Sequence, residues 1–420
     1  MKYIQRIADT LLADKLSYAG GVLITGPKYC GKTETAKQFA KSSINMEADA
    51  SVPVAMSSDP NLLLLGDTPR LIDEWQAYPQ IRNVVRHAID NRRAQGQFIL
   101  TGSATPNDET ERRLHSGAGR ISRMRMRTMS WSELGWSDGT VSLADIMSGR
   151  PVETQATELS VPEIAKRIAI GGWPALVGAS ETVALKQNRD YIANIVEVDI
   201  SRVTGTPRDP VRVRKVIESY ARNIATAAKN STITSDVSSV LEDGDIDRTT
   251  VSSYLNDLSR MMITDDIPAW NTHIRSSAKL RVTPKRHFAD ASLAVAALNL
   301  SPALLLKELR YLGFLFESTA VHDLRIYAEA LGGSVSYYLD TDDDEVDAIV
   351  EMPSGAFAAF EVKLGIGAVE EAVLSLNRFV GKLTDSRKKH LVSRNIIVGA
   401  GMSYTRPDGI NVISLGSLGA

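Results

Sequence analysis

Three stretches of this 420-residue sequence predict an α/β fold class spread over several domains. In GGVLITGPKYCGKTETAKQFA, an apolar β-rich run (22–25) feeds a glycine-rich turn and then a helical pattern. RLIDEW is a second apolar strand, closing on Asp73 and Glu74. Towards the far end, DAIVEMPSGAFAAFEVK reads as a β-hairpin that carries Asp347, Glu361 and Lys363. Buried strands that alternate with helices build helix-covered sheets. The length predicts about two to four domains.

Hydrophobic residues make up 43% and charged residues 23%, with a formal net charge of -2. That balance excludes a generally basic nucleic-acid binder while leaving room for local basic faces. No apolar run reaches the roughly 20 residues that cross a bilayer. The amphipathic start MKYIQRIADTLLADKL carries Asp9 and Asp14 and lacks a cleavage site, so neither a membrane partner nor secretion is expected, and a cytoplasmic protein is. The single cysteine, Cys30, allows no internal disulfide. Histidines at 87, 115, 273, 287, 322 and 390 show no zinc-like spacing. Any metal should then be held by oxygen, which points to Mg2+.

The glycine-rich turn comprises Gly26, Pro27, Lys28, Tyr29, Cys30, Gly31, Lys32 and Thr33, with Glu34 opening the helix. Its spacing is that of a P-loop. Backbone amides curl around phosphate oxygens, Lys32 reaches the β- and γ-phosphates, and the Thr33 hydroxyl holds Mg2+. The expected ligands are therefore ATP and Mg2+. Asp73 is placed to complete the metal shell and Glu74 to orient or deprotonate the attacking water. QFILTGSA is a further buried strand whose polar tip, Thr101 to Ser103, can meet the γ-phosphate or the water. SSINMEA and GRISRMRM supply two more strands, making a mainly parallel five-stranded P-loop NTPase core over residues 1–135. Arg120 is a candidate γ-phosphate sensor or arginine finger. Arg123, Arg125 and Arg127 alternate with Met124 and Met126, which also fits a solvated basic sheet edge.

The P-loop, LIDEWQAYP, FILTGSA, SGAGRISRMRMRTMSWSEL and IAIGGWPALV together resemble a prokaryotic family. Its members are AAA-type ATP-binding proteins, related to the archaeal-type ATPases, with a C-terminal domain of unknown function. The resemblance covers nearly the whole chain and implies ATP hydrolysis. Trp75 stands where the family usually has an aliphatic residue.

Residues 136–160 are polar and rich in Ser, Thr, Gly and Asp, so they read as a connector leading to a lid. Helical patterns follow in SVPEIAKRIAIGGWPALVGA and ETVALKQNRDYIANIVEVDISRV, and a helical lid over 136–205 is expected. GTPRDP (205–210) marks a boundary. A helix in VRVRKVIESYARNIA, one capped by Thr232 or Thr234, one capped by Asp247 and a basic hairpin then predict a winged helix over 206–288. Arg248 and the wing residues Arg275, Lys279, Arg281, Lys285 and Arg286 are candidate DNA contacts. The alternative is a winged helix used only for packing or protein contact.

Over 289–420 the order is a helix with Glu317, a strand pair around an acidic turn, the Glu361 strand, a crossover helix and closing strands. This resembles the restriction-endonuclease-like fold, and Asp347 with Glu361-x-Lys363 resembles its metal-dependent nuclease signature. The resemblance implies Mg2+ between Asp347 and Glu361, with Glu317 adding a carboxylate and Lys363 positioning water. The acidic run 340–345 reads as a solvated turn. Two functions stay open. One is a Mg-dependent ATPase coupled to a DNA-associated, nuclease-type module. The other is an ATP-driven switch, or a nucleic-acid- or protein-binding module, with an inactive nuclease fold. Self-association is a further candidate.

Overall fold

The computed structural model describes residues 3–103, 119–241, 246–271 and 283–420. The amino-terminal sheet is formed by β1 (Gly21–Thr25), β2 (Ser42–Asn45), β3 (Arg70–Asp73), β4 (Phe98–Gly102) and β5 (Ile121–Arg125). Its order is β2-β3-β4-β1-β5 and every pairing is parallel. Strands buried on both faces read as continuous apolar runs, as FIL in β4 and VLI in β1 do. Leu12 and Ala36, from helices Ile7–Tyr18 and Lys32–Phe39, pack on one face; Val52, Val85 and Ile89, from Val52–Ser58 and Ile81–Arg92, pack on the other. Parallel register puts all the strand exits on one edge. The P-loop, Asp73 and Ser103 therefore leave the sheet side by side.

Helices Val161–Ile170, Glu181–Asn194 and Ile200–Thr204 follow, the last two joined by a π-helical turn, Ile195–Asp199. Three more helices, Pro210–Arg222, Asn230–Ser238 and Arg248–Arg260, precede two antiparallel bridges, Thr264–Phe288 and Ile267–Lys285. Asp247 caps its helix as expected, its carboxylate accepting the Thr250 amide at 2.9 Å. Thr232 and Thr234 instead lie inside the Asn230–Ser238 helix.

The C-terminal sheet is seven-stranded and mixed, ordered β7-β12-β13-β11-β10-β9-β8. It comprises β7 (Gln155–Ala156), β8 (Ser334–Leu339), β9 (Glu345–Glu351), β10 (Phe357–Lys363), β11 (Leu391–Val398), β12 (Met402–Thr405) and β13 (Ile410–Ser414). Strand β10 is antiparallel to β9 and parallel to β11. Helix Leu309–Ala330 covers one face and Val369–Lys382 the other.

The 136–160 connector departs from the expected lid. Strand β6 (Val141–Ser142) pairs with β14 (Leu418–Gly419), and β7 pairs with β12, so this stretch extends the C-terminal sheet system. Its apolar residues, Val141, Leu143, Ile146 and Val152, share one core with the middle helices and a face of the C-terminal sheet. Burial of that surface, absent from a polar reading of the stretch, fixes its position.

The GGWP turn locks the middle region to the end of the first domain. Gly171 has φ +80° and a Cβ there would strike Ser292; a Cβ at Gly172 would run into the Met129 carbonyl. Asp290 accepts from the Gly172 amide at 2.8 Å and from Thr128 Oγ1 at 2.7 Å. We expect Gly172→Ala to lower stability by about 1–3 kcal/mol, because the obstacle is backbone. Calorimetric unfolding at the wild-type midpoint would contradict this packing.

Candidate functional site

The strand exits and the 195–204 segment border an open cavity of about 700 Å3 lined by Lys28, Tyr29, Gly31, Lys32, Thr33 and Glu34 of the loop. Glu74, Ser103, Asp199 and Arg202 line it from other elements. Helix Lys32–Phe39 starts at Gly31, whose φ of +103° few other residues adopt. The first four amides of a helix lack intrahelical partners and suit an anion. Gly26 is needed for close approach, since a Cβ would meet the Met126 carbonyl. Cys30 is fully buried, filling the loop. Lys32 is also buried, its ammonium donating to the Gly26 and Pro27 carbonyls at 3.0 and 2.7 Å. These are neutral partners that phosphate oxygens can replace.

Asp73 accepts from Thr33 Oγ1 at 2.9 Å and Asn45 Nδ2 at 3.0 Å, and also from the Thr101 hydroxyl. Thr33 and Asp73 thus touch where the two could share Mg2+, which needs few protein oxygens when phosphates and waters supply the rest. The residues fit that ion. Glu74 sits in the left-handed region (φ 53°), turned out of β3 towards Gln76 and 3.5 Å from Ser103 Oγ. Its carboxylate therefore faces the cavity while Asp73 stays within the sheet edge. Trp75 is buried under this turn.

Arg6, Asp199, Arg202 and Tyr191 join the site without any local signal. Arg6 is buried and donates to the Cys30, Arg127 and Thr128 carbonyls at 3.0–3.1 Å while pairing with Glu133 at 2.9 Å. It holds the loop from beneath. From the 195–204 segment, Asp199 pairs with Lys28 at 2.6 Å and Arg202 with Glu47. Exposed Tyr29 meets Tyr191 edge-on at 6.3 Å, and Tyr191 lies 4.9 Å from Trp173 of the GGWP turn. The motif GGWPALV signals this contact, but not its partner.

Arg120 is not brought to the cavity. Ile121 pairs with Gly21 at the amino edge of the sheet, about 13 Å along the strand from the P-loop side. Arg120 instead pairs with Asp90 at 2.8 Å. Of the alternating arginines Arg123 is exposed, while the other two turn to a buried acid. Arg125 and Arg127 reach Asp265 at 3.1 and 2.6 Å, and Arg127 also reaches Glu329 at 2.7 Å.

At the C-terminal site, Asp347 and Glu361 lie on adjacent strands beside the Ala348–Phe360 pair. The two carboxylates, expected to share a metal, engage protein partners here. Glu361 accepts from Ser375 Oγ at 2.8 Å and pairs with Lys363 at 3.0 Å. Asp347 accepts the Val362 amide at 2.8 Å, and its other oxygen faces Lys285 Nζ at 3.1 Å. Lys285 also contacts Glu317 and, at 2.5 Å, Glu345. Burial and the charge of Asp347 push Glu361 up to about 7. Among the described residues, no group of three or more His, Cys, Asp or Glu side chains is arranged to hold a metal.

Lys285 and Arg286 are therefore not free wing contacts. Lys285 is 1% exposed, and Arg286 is buried against Asp266, Asn230 and the Ala228 carbonyl. Arg275, Lys279 and Arg281 lie outside the described residues, while Arg248 is exposed. The acidic turn pairs with Lys382 and Arg378 of the crossover helix, so it is only partly solvated.

Asp199 places a negative charge on the rim where phosphates would sit. Asp199→Asn should tighten ATP binding about tenfold, the equivalent of about 1.4 kcal/mol. Titration with a fluorescent ATP analogue would show it, and weaker binding would mean that the Lys28 contact orders the loop.

Three family models match the chain. They are an AAA domain over residues 20–135, a domain of unknown function (DUF8612) over 161–304 and a domain of unknown function (DUF4143) over 312–418. The uncharacterized proteins Rv2008c of Mycobacterium tuberculosis and Mb2031c of Mycobacterium bovis are each 26% identical over 364 residues, covering 86% of this chain and 74% of theirs. Among solved structures, the Walker-type ATPase PABY2304 of Pyrococcus abyssi is 11% identical at a TM-score of 0.42, covering 70% of this chain and 96% of that one. The Aeropyrum pernix ORC1 protein, solved with DNA, is 14% identical at a TM-score of 0.28, covering 73% and 95%. No helix among the described residues is long and apolar enough to cross a membrane. The chain thus carries an AAA-type domain, which implies nucleotide binding, followed by regions that match domains of unknown function.

Proposed function

We propose that this chain is a Mg-dependent ATP hydrolase that works as a switch, its nuclease-like C-terminal module gripping nucleic acid or protein rather than cutting it. The observation that carries the reading is the convergence of Lys32, Thr33, Asp73 and Glu74 on one open cavity. The loop amides and the amino end of helix Lys32–Phe39 would receive the phosphates. Lys32 would exchange its two carbonyls for phosphate oxygens. Thr33 and Asp73 would hold Mg2+, which when bound neutralises charge on the β- and γ-phosphates. Glu74, turned into the cavity, would accept the proton of the attacking water. Arg202 is the lid cation best placed to take up charge on the transferred group, once it leaves Glu47.

A second reading, an ATP-dependent nucleic-acid-processing enzyme, is supported by the adjacency of Asp347, Glu361 and Lys363 on neighbouring strands of the C-terminal sheet. The saturated carboxylates favour the switch. Exposed Arg248 leaves DNA as a candidate partner, and self-association stays a candidate for supplying an arginine finger.

Lys32→Ala should abolish turnover and greatly weaken ATP binding. Glu74→Gln should keep ATP bound while slowing hydrolysis by about 100- to 10,000-fold. Steady-state hydrolysis with equilibrium ATP binding separates the two, and wild-type turnover in either variant would sink the assignment. Incubation with plasmid and single-stranded DNA, with Mg2+ and with or without ATP, should leave both intact. Nicking that disappears in Asp347→Ala would establish the second reading.

A further inference from the structure

We propose that the Lys285 ammonium takes the place of the divalent cation in the nuclease-like module, so that the former metal pocket is a docking socket for the middle region. The inference rests on reading that module as nuclease-like and is independent of the ATPase.

Lys285 does not come from the C-terminal sheet. Its backbone pairs with Ile267, and the Ile267 arm runs along the free edge of β8, where Ala269 bridges Tyr337 and the Trp270 amide donates to the Tyr337 carbonyl at 2.6 Å. From that edge the lysine stem passes inward over the Tyr337 ring, 6.0 Å from its centroid. The ammonium ends among the carboxylates of Glu317, Glu345 and Asp347, which belong to a helix and a strand of the module. The ammonium donates to Asp347 Oδ1 and lies in ion-pair contact with Glu317 and Glu345.

Two lysines are set against the carboxylates of this pocket. Glu317, Asp347 and Glu361 are all at least nine-tenths buried by exposure. Uncompensated, such a group of like charges is costly. Lys285 and Lys363 supply two positive charges, and the four oxygens of Asp347 and Glu361 all have protein partners. Mg2+ shared by Asp347 and Glu361 would take one oxygen from each at about 2.0–2.1 Å, with waters completing the octahedron. To admit it, the protein would have to expel Lys285 and break the arm that carries it. Removing the lysine should therefore do two things at once: open a cation site and loosen the middle region from the module.

The test is Mn2+ binding to the nucleotide-free full chain, read by electron paramagnetic resonance of free Mn2+ and by calorimetry. Wild type should bind no Mn2+ that Asp347→Asn removes. Lys285→Met should gain one site at least tenfold tighter, lost again on adding Asp347→Asn, while Lys285→Arg should not gain it. Limited proteolysis of Lys285→Met should also cut faster between the middle region and β8, with Mn2+ slowing it. A wild-type Mn2+ site that Asp347→Asn abolishes would overturn the proposal, and that measurement needs no folded Lys285 variant. So would folded Lys285→Met that binds Mn2+ no better than wild type. Hydrolysis of ATP by the same preparations reports separately on the amino-terminal reading.

Discussion

The carboxylate of Asp265 is the joint on which the arrangement depends. It is buried and receives Arg125 and Arg127 from the end of the nucleotide sheet and Arg325 from the long C-terminal helix, all within 3.1 Å. Burial alone would raise its carboxyl, but three guanidinium groups hold it far below the usual range. Buried ions removed from their partners are strongly destabilising. The nucleotide domain, the middle region and the C-terminal module therefore cannot part at this point without stranding charge. The neighbouring Asp290 hub and the shared apolar core act in the same direction.

Two buried lysines show how the same side chain can be kept available or committed. Lys32 rests on neutral carbonyls, which give up an ammonium to an anionic ligand at modest cost. Lys285 rests on carboxylates; burial would lower its pKa, yet Glu317, Asp347 and Glu345 hold it well above the ordinary value. One lysine keeps neutral partners that an anion can displace. The other completes a folded interface, and this difference in partners separates the ligand-ready end of the molecule from the closed one.

Local chemistry was legible in the sequence wherever function is written in consecutive residues. The P-loop spacing, the strand ending in Asp73 and Glu74, the Asp247 cap and the αβ order of the C-terminal sheet all follow from patterns within a few turns or strands. The errors lie where a distant partner decides. Lys285 and Arg286 read as a basic wing because nothing near them in sequence announces Glu317, Asp347 or Asp266. Arg125 and Arg127 alternate like an exposed edge, yet Asp265 lies well over a hundred residues away. Arg120 was misplaced for a different reason: a glycine before a strand marks its start, and in a parallel sheet that is the end remote from phosphate. The two-residue strands β6 and β7 are too short for any periodic signal.

Pairing of the 137–142 connector with the final strand has a consequence for synthesis. Ser137 hydrogen-bonds the Leu418 carbonyl across 281 residues of sequence. At ordinary elongation rates, roughly 15 to 60 seconds separate their emergence from the ribosome. The nucleotide sheet, whose strands are complete by Arg125, can close during that interval. Its connector meanwhile presents Val141, Leu143 and Ile146 without the C-terminal strands and long helix that share their core. The nascent chain thus passes through a stage in which a finished ATP-binding domain trails an exposed apolar strap, the kind of surface that chaperones bind.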